Sequence, residues 1–219
     1  MNRPNSLFLF SNIIMRNKLL NSLTALAIAA FAMVIGMPTT GYAQCPTSIL
    51  PSGCSWAGTN GQIGPVPVPG TSCSVTAQYC YVCCNGINYF YIYAMNPQGP
   101  RCNTVDPADM QEAVVAALLV HTSEFGCDPC PNGQTNVSIT VPGCWKKNGL
   151  QAPWLFEGCI EEGCFCQITA TISCVGGVPS VTSCNTIKNG VCNCADNPGA
   201  SGSWSLGTCY SLECPDPCP

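Results

Sequence analysis

Cys80-Tyr81-Val82-Cys83 and Cys127-Asp128-Pro129-Cys130 have the spacing of redox dithiols and of zinc knuckles. A redox pair needs a reactive thiol at a helix start in a βαβ setting, and neither segment provides one. A zinc site needs reduced thiolates. Cys83-Cys84 and the Cys-x-Cys pairs Cys164/Cys166 and Cys192/Cys194 look like metallothionein only locally, because this chain is also rich in aromatic and apolar strand residues. His121 is the only histidine and ends an apolar helical run, which fits a capping or core role better than a general base. The chain has no Gly-x-Ser-x-Gly elbow and no Cys-x-x-Cys-His haem motif. A Cys–His nucleophile would require one thiol to stay unpaired among twenty. A glycosidase needs two carboxylates at a set separation across a sugar, whereas Glu157, Glu161 and Glu162, close together on one loop, read as a solvated edge. Asp196-Asn197-Pro198-Gly199 reads as a turn, lacking calcium-loop spacing. No catalytic residue, metal ion or cofactor is expected, and an enzyme is the last of the readings.

What remains is recognition. Tyr89, Tyr91 and Tyr93 recur at period two, so they share one face of a strand, with Phe90 and Ile92 on the other. If the Phe90/Ile92 side is core, the tyrosines form an aromatic platform suited to stacking on sugar rings or on a partner. The competing reading is that another element covers this face. Trp56 and Trp145 are further candidate binding residues, with Trp154 and Trp204 behind them. Asn136-Val137-Ser138 fits a glycosylation sequon, inside a predicted strand.

Location follows from the beginning of the chain. Arg16 and Lys18 precede an apolar run of 15 residues, Leu23–Met37, and Gly41-Tyr42-Ala43 places small residues at −3 and −1. That is the layout of a signal peptide cut before Gln44, with a core shorter than the ~20 residues of a membrane span. Residues 1–43 are therefore read as a leader, and Met15 as an alternative start to Met1. Tyr42-Ala43-Gln44 before Cys45 does not suit a lipoprotein anchor. The expected product is secreted, or periplasmic in a Gram-negative host, without a stable membrane span.

All twenty cysteines lie beyond the leader. An even count in an exported chain reads as an oxidised framework, because small units bury too little surface to stand without staples. Beyond the leader only Arg101, Lys146, Lys147 and Lys188 are basic, against eleven acidic residues, so nucleic acid is excluded as a partner.

The cysteines also suggest a duplication. Cys45, Cys54, Cys73, Cys80, Cys83 and Cys102 are followed, in the same order of neighbouring motifs, by Cys130, Cys144, Cys159, Cys164, Cys166 and Cys184. Cys-Pro opens each set, Asn-Gly follows the second cysteine, and Cys-Asn-Thr closes it. The expectation is that each six pairs within itself, in one pattern used twice, while the other eight bridge locally or tie down the tail.

The elements that must position these residues are mostly strands. Gln44–Gly70, with Pro65, Pro67 and Pro69, reads as extended and irregular. Asn85-Gly86 predicts a hairpin within Cys73–Met95. Asp106, Pro107 and Asp109 predict a helix start, and Gly126 a stop. Ala113–Val120 is apolar throughout, so this helix should be buried on most sides. Asn136–Val141 and Gln167–Cys174 alternate as half-buried strands do, and Gly176-Gly177 turns the chain into Val178–Cys184.

The fold class expected is mostly β and disulfide-rich: two degenerate, duplicated cysteine-rich β subdomains with one helix, about 106–125, between them. The divisions are leader 1–43, first repeat 44–105, connecting helix 106–126, second repeat 127–187 and a bridged, turn-rich tail 188–219. The function expected is a secreted structural, surface-assembly or adhesive protein, whose partners are its own copies or extracellular glycan or protein. The alternatives are a glycan- or peptide-binding module using exposed aromatics, and a secreted inhibitor of hydrolases.

Overall fold

The computed structural model describes residues 45–121, 127, 133–149, 154–159 and 163–218. The predicted leader lies outside them, as does Cys130. The mostly-β, disulfide-rich class stands: among the described residues nine strands and one α-helix are held by nine disulfides.

The strands are β1 (Gly58–Pro67), β2 (Ser74–Cys84), β3 (Ile87–Gln98), β4 (Gly133–Pro142), β5 (Cys144–Asn148), β6 (Leu155–Gly158), β7 (Phe165–Val175), β8 (Val178–Asn189) and β9 (Cys209–Ser211). All belong to one sheet, forked at β3. One edge of β3 pairs with β2 along its length, and β2 with β1. The other edge first takes β4 in parallel, Ile87–Tyr91 against Asn136–Thr140, and then β6 in antiparallel at Ala94 and Met95. From β4 the sheet continues through β7 to β8, and from β6 through β5 to β9. Over much of β3 both faces are covered, one by the core under the helix and the other by the chain around Cys45, Ile49 and Trp56. That is why β3, Ile-Asn-Tyr-Phe-Tyr-Ile-Tyr-Ala-Met, is almost continuously apolar.

The hairpin β2–β3 turns at Asn85-Gly86, both with positive φ (53° and 76°), as that pair of residues favours. Farther along, the pairing slips by one residue between Gln78 and Tyr79, leaving Tyr93 as the extra residue of β3. This bulge places Phe90, Ile92 and Met95 on the core face, with Tyr91, Tyr93 and Ala94 on the other. β1 corrects the expectation of irregular chain over its span. Its proline at Pro65 falls in a register gap, and β1 is an edge strand, where a missing N–H need not break a ladder.

The helix α1 (Pro107–Val120) starts as predicted, with the Asp106 carboxylate accepting from the Ala108 N–H at 2.9 Å. His121 is its C-cap, and the predicted stop at Gly126 lies outside the described residues. α1 packs over β1, β2, β3, β7 and β8, and Met110, Val114, Val115, Leu118 and Leu119 are fully buried against the strand residues of that face. Only Asp109, Glu112, Ala116 and Val120 form an open stripe. Gln111 is the exception inside. It is 1% exposed, and neither its amide nitrogen nor its oxygen has a hydrogen-bond partner. Burying such an amide costs about 1–3 kcal/mol. Gln111→Leu should therefore raise the unfolding free energy by about 1–2 kcal/mol, read as a higher midpoint in guanidinium; an unchanged or lower midpoint would show that the amide is satisfied in solution.

The expected repetition of the disulfide pattern is overturned. In the first set Cys45 pairs with Cys80 and Cys73 with Cys102, but Cys54 takes Cys84 and Cys83 takes Cys127. In the second set every described member pairs with the tail: Cys144–Cys194, Cys159–Cys209, Cys164–Cys192, Cys166–Cys214 and Cys184–Cys218. Cys174 is also disulfide-bonded. Cys54 and Cys144, matched by sequence, sit in unlike places, one half-buried and one fully buried. The physical reason is spatial: the tail returns along this part of the sheet, with β9 pairing with β5, and brings Cys192, Cys194 and Cys209 into the cluster that holds Cys144, Cys159 and Cys164. The tail itself is tied down as expected.

Candidate functional site

β3, β4, β7 and β8 lie side by side, and their registers align residues of one face into rows. Tyr89 is paired with Ser138, Ser138 with Thr169, and Thr169 with Asn185. The adjacent row is Ile87, Asn136, Thr171 and Ser183. These are the positions opposite the core residues Val137 and Ile139 of β4 and Ile168, Ala170 and Ile172 of β7. Strict alternation therefore puts hydroxyls and amides on the side away from α1. The result is an open depression of about 410 Å³. At ~4.8 Å per strand it runs roughly 14 Å from Tyr89 to Asn185.

The site's polar groups are partly preorganised. Gln167 Nε2 donates to Ser138 Oγ and Thr171 Oγ1 donates to Asn136 Oδ1, both at 3.0 Å. Each bond fixes one end of an amide and leaves the other, Gln167 Oε1 or Asn136 Nδ2, for a ligand. The lining contains no Asp, Glu, Lys, Arg or His. A surface of this kind offers hydrogen bonds in both directions and one phenol ring, with no charge to attract an ion.

The structure splits the tyrosine stripe. Tyr89 is half-buried and lines the depression. Tyr91 and Tyr93 are 3% and 4% exposed, covered by the chain around Cys45, Ile49 and Trp56, which the Cys45–Cys80 bridge holds against the strand. That burial pushes the Tyr91 phenol well above its ordinary pKa. The exposed three-tyrosine platform is thus corrected to a single ring, because a disulfide-fastened segment covers the rest. Trp145 is also removed as a binding residue: it is fully buried, and its indole N–H donates to Pro142 O at 2.9 Å. Trp56 is half-buried with its N–H given to Pro46 O at 3.2 Å, so it belongs to the cover. Asn136, Gln167, Thr169 and Asn185 were not singled out from sequence as a binding set. Their signal was present in the polar phase of the alternating strands, and Asn136 and Ser138 had drawn notice only as a sequon.

Two other places were weighed. Sulfur atoms of Cys144, Cys164 and Cys192 lie within 4.8 Å of one another, but all three are in disulfides, so none is a thiolate ligand. Gly143 permits this packing: a Cβ there would stand 2.6 Å from Cys164 Sγ and 2.8 Å from Cys192 Sγ. The second place is a cleft of about 510 Å³ between Pro97, Pro100, Asn103 and Trp154. The buried Lys147 sits 3.9 Å from the centroid of the Trp154 ring and donates from Nζ to Ser201 O at 2.9 Å. Desolvation lowers its pKa, and the cation against the ring offsets part of that cost. Glu157 accepts from Asn148, while Glu161 and Glu162 lie outside the described residues.

Fold and site together define a disulfide-rich β protein with one covering helix and a neutral polar face on its sheet. The chain matches no protein-family model, and no curated protein or solved structure matches it. The density of disulfides is that of proteins in an oxidising, extracellular type of compartment. Among the described residues no helix is long and apolar enough to cross a membrane.

Proposed function

We propose that the protein is an extracellular binding module for neutral glycan, acting in adhesion or surface assembly. The observation that supports this reading best is the row Tyr89–Ser138–Thr169–Asn185: a ring followed by hydroxyl and amide groups, in a depression with no ionisable neighbour but the phenol. Sugar hydroxyls need donors and acceptors together, and their C–H faces stack on aromatic rings. An anionic or cationic ligand would find no counter-charge there. The Trp154 cleft serves the reading less well, since one face of its ring already holds Lys147.

The test is calorimetric titration of the oxidised protein with a panel of neutral oligosaccharides of increasing length. Binding should strengthen with length until the depression is filled. Tyr89→Ala should weaken it on the order of tenfold, the loss of ~1.4 kcal/mol of stacking, with the circular dichroism spectrum unchanged. Unaltered affinity in Tyr89→Ala and Gln167→Ala together would remove the site, and so would the absence of binding to every member of the panel.

A further inference from the structure

β8 ends the sheet. One of its edges pairs with β7 from Val178 to Asn189, and among the described residues no strand pairs with the other. The remaining sheet edges are poor templates for another chain. β1 contains Pro65 and Pro67 and two register breaks, and β9 is three residues long. The early part of β8 is blunted too, by Pro179 and by a bulge at Thr182. After it comes an uninterrupted stretch, Ser183–Asn189, free of proline and glycine, bearing a single charge at Lys188 and an Ile187 side chain 48% exposed.

The direction of its free backbone groups follows from the turn. Gly176-Gly177 closes a two-residue hairpin, both glycines having positive φ, so Val175 and Val178 exchange the first pair of hydrogen bonds. Counting on through the bulge, Ser183, Asn185, Ile187 and Asn189 bond back to β7. Cys184, Thr186 and Lys188 turn their N–H and C=O outward.

We infer that this stretch pairs, antiparallel and in register, with the same stretch of a second copy about a two-fold axis at Thr186. Thr186 then faces Thr186 of the other copy, and Cys184 faces Lys188, giving a short ladder in which the sole charge meets no like charge. A second copy fits because the outward groups are spaced symmetrically about Thr186, and because this register sets each Lys188 opposite Cys184 and not opposite the other lysine. With every other edge blunted, the assembly closes as a dimer instead of growing. A two-fold axis normal to an antiparallel sheet keeps equivalent faces on one side. Ser183 and Asn185 line the polar depression, so the two depressions join across the axis into one trough for a long neutral polysaccharide. The trough rests on the glycan reading above; the pairing itself does not.

Sedimentation over a wide concentration range should show a monomer–dimer equilibrium. Hydrogen exchange should slow about tenfold at the amides of Cys184, Thr186 and Lys188 on going from dilute to concentrated protein, with Val181 unchanged. Thr186→Pro, which deletes an outward N–H and the Thr186 Oγ1 bond to Pro215 O while leaving the β7 ladder intact, should be monomeric and still bind short oligosaccharides, losing the avidity for long ones. If that variant misfolds, Ile187→Lys serves as the second edge variant. A monomer at all concentrations with fast exchange at those three amides would overturn the pairing. So would a dimer that survives both substitutions. Normal dimerisation with no neutral-glycan affinity would overturn the site and leave the pairing standing.

Discussion

Trp145→Ala is expected to cost about 3–5 kcal/mol, the range for removing a large aromatic from a core. The side chain has 0% exposure and its N–H is bonded to Pro142 O, so the substitution leaves both a cavity and an orphaned carbonyl. Trp145 lies in β5, where it faces Gly158 of β6 and Tyr210 of β9, and the arm of the fork beyond β3 depends on it. A loss of that size takes a large share of a typical domain's stability. Guanidinium unfolding without reductant should therefore shift to much lower denaturant. Trp56→Ala, which removes a half-buried ring from the cover over Tyr91, should shift less. Equal shifts in the two variants would mean that Trp145 does not organise the core as described.

The second large effect concerns cross-links, and its ordering runs against sequence separation. Cys73 and Cys102 are 29 apart, and Cys166 and Cys214 are 48 apart. In a chain without other bridges the second would restrict the unfolded state more. The network reverses this. Cys159–Cys209 already joins the chain shortly before Cys166 to the chain shortly before Cys214, so the path closed by that bridge is only about 14 residues long, giving about 3 kcal/mol. No such shortcut spans Cys73–Cys102, whose loop of about 30 residues gives about 3.7 kcal/mol. Its sulfurs also sit at buried positions, 2% and 4% exposed. Paired alanine replacement of Cys73 and Cys102 should thus destabilise more than paired replacement of Cys166 and Cys214, read as the difference in unfolding midpoints. The opposite ranking would show that unfolded-state entropy does not govern these cross-links.

Much of the secondary structure was legible because its signals are local. Asp106-Pro107 marks a helix start, Asn85-Gly86 a hairpin, and the alternation of Val137, Ile139 and Val141 a strand, though Ser138 and Thr140 on its polar face are buried as well. Two elements were hidden. β1 was masked by prolines that only an edge position tolerates, and β6 has four residues, too few to show a period. The disulfide partners were illegible for a different reason. Neighbouring motifs can make two cysteines look equivalent, yet bonding depends on which segments come together in space, and for Cys144, Cys159, Cys164, Cys166 and Cys184 those segments belong to the tail. The candidate site was half legible. Period two put the tyrosines on one face correctly, but nothing near Tyr91 in the sequence announces that Cys45 will fasten a cover over it. The polar row needed the registers of four strands, which no single strand's pattern contains.

The tail bridges also impose an order of events as the chain is made. Cys45–Cys80, Cys54–Cys84 and Cys73–Cys102 have both partners early in the chain. By contrast Cys144, Cys159, Cys164, Cys166 and Cys184 have partners that begin only at Cys192. Five thiols must wait, reduced or wrongly joined, until the segment after Lys188 has been made. Every bridge needs an oxidant, and any of the five that has joined wrongly needs a disulfide-shuffling activity as well.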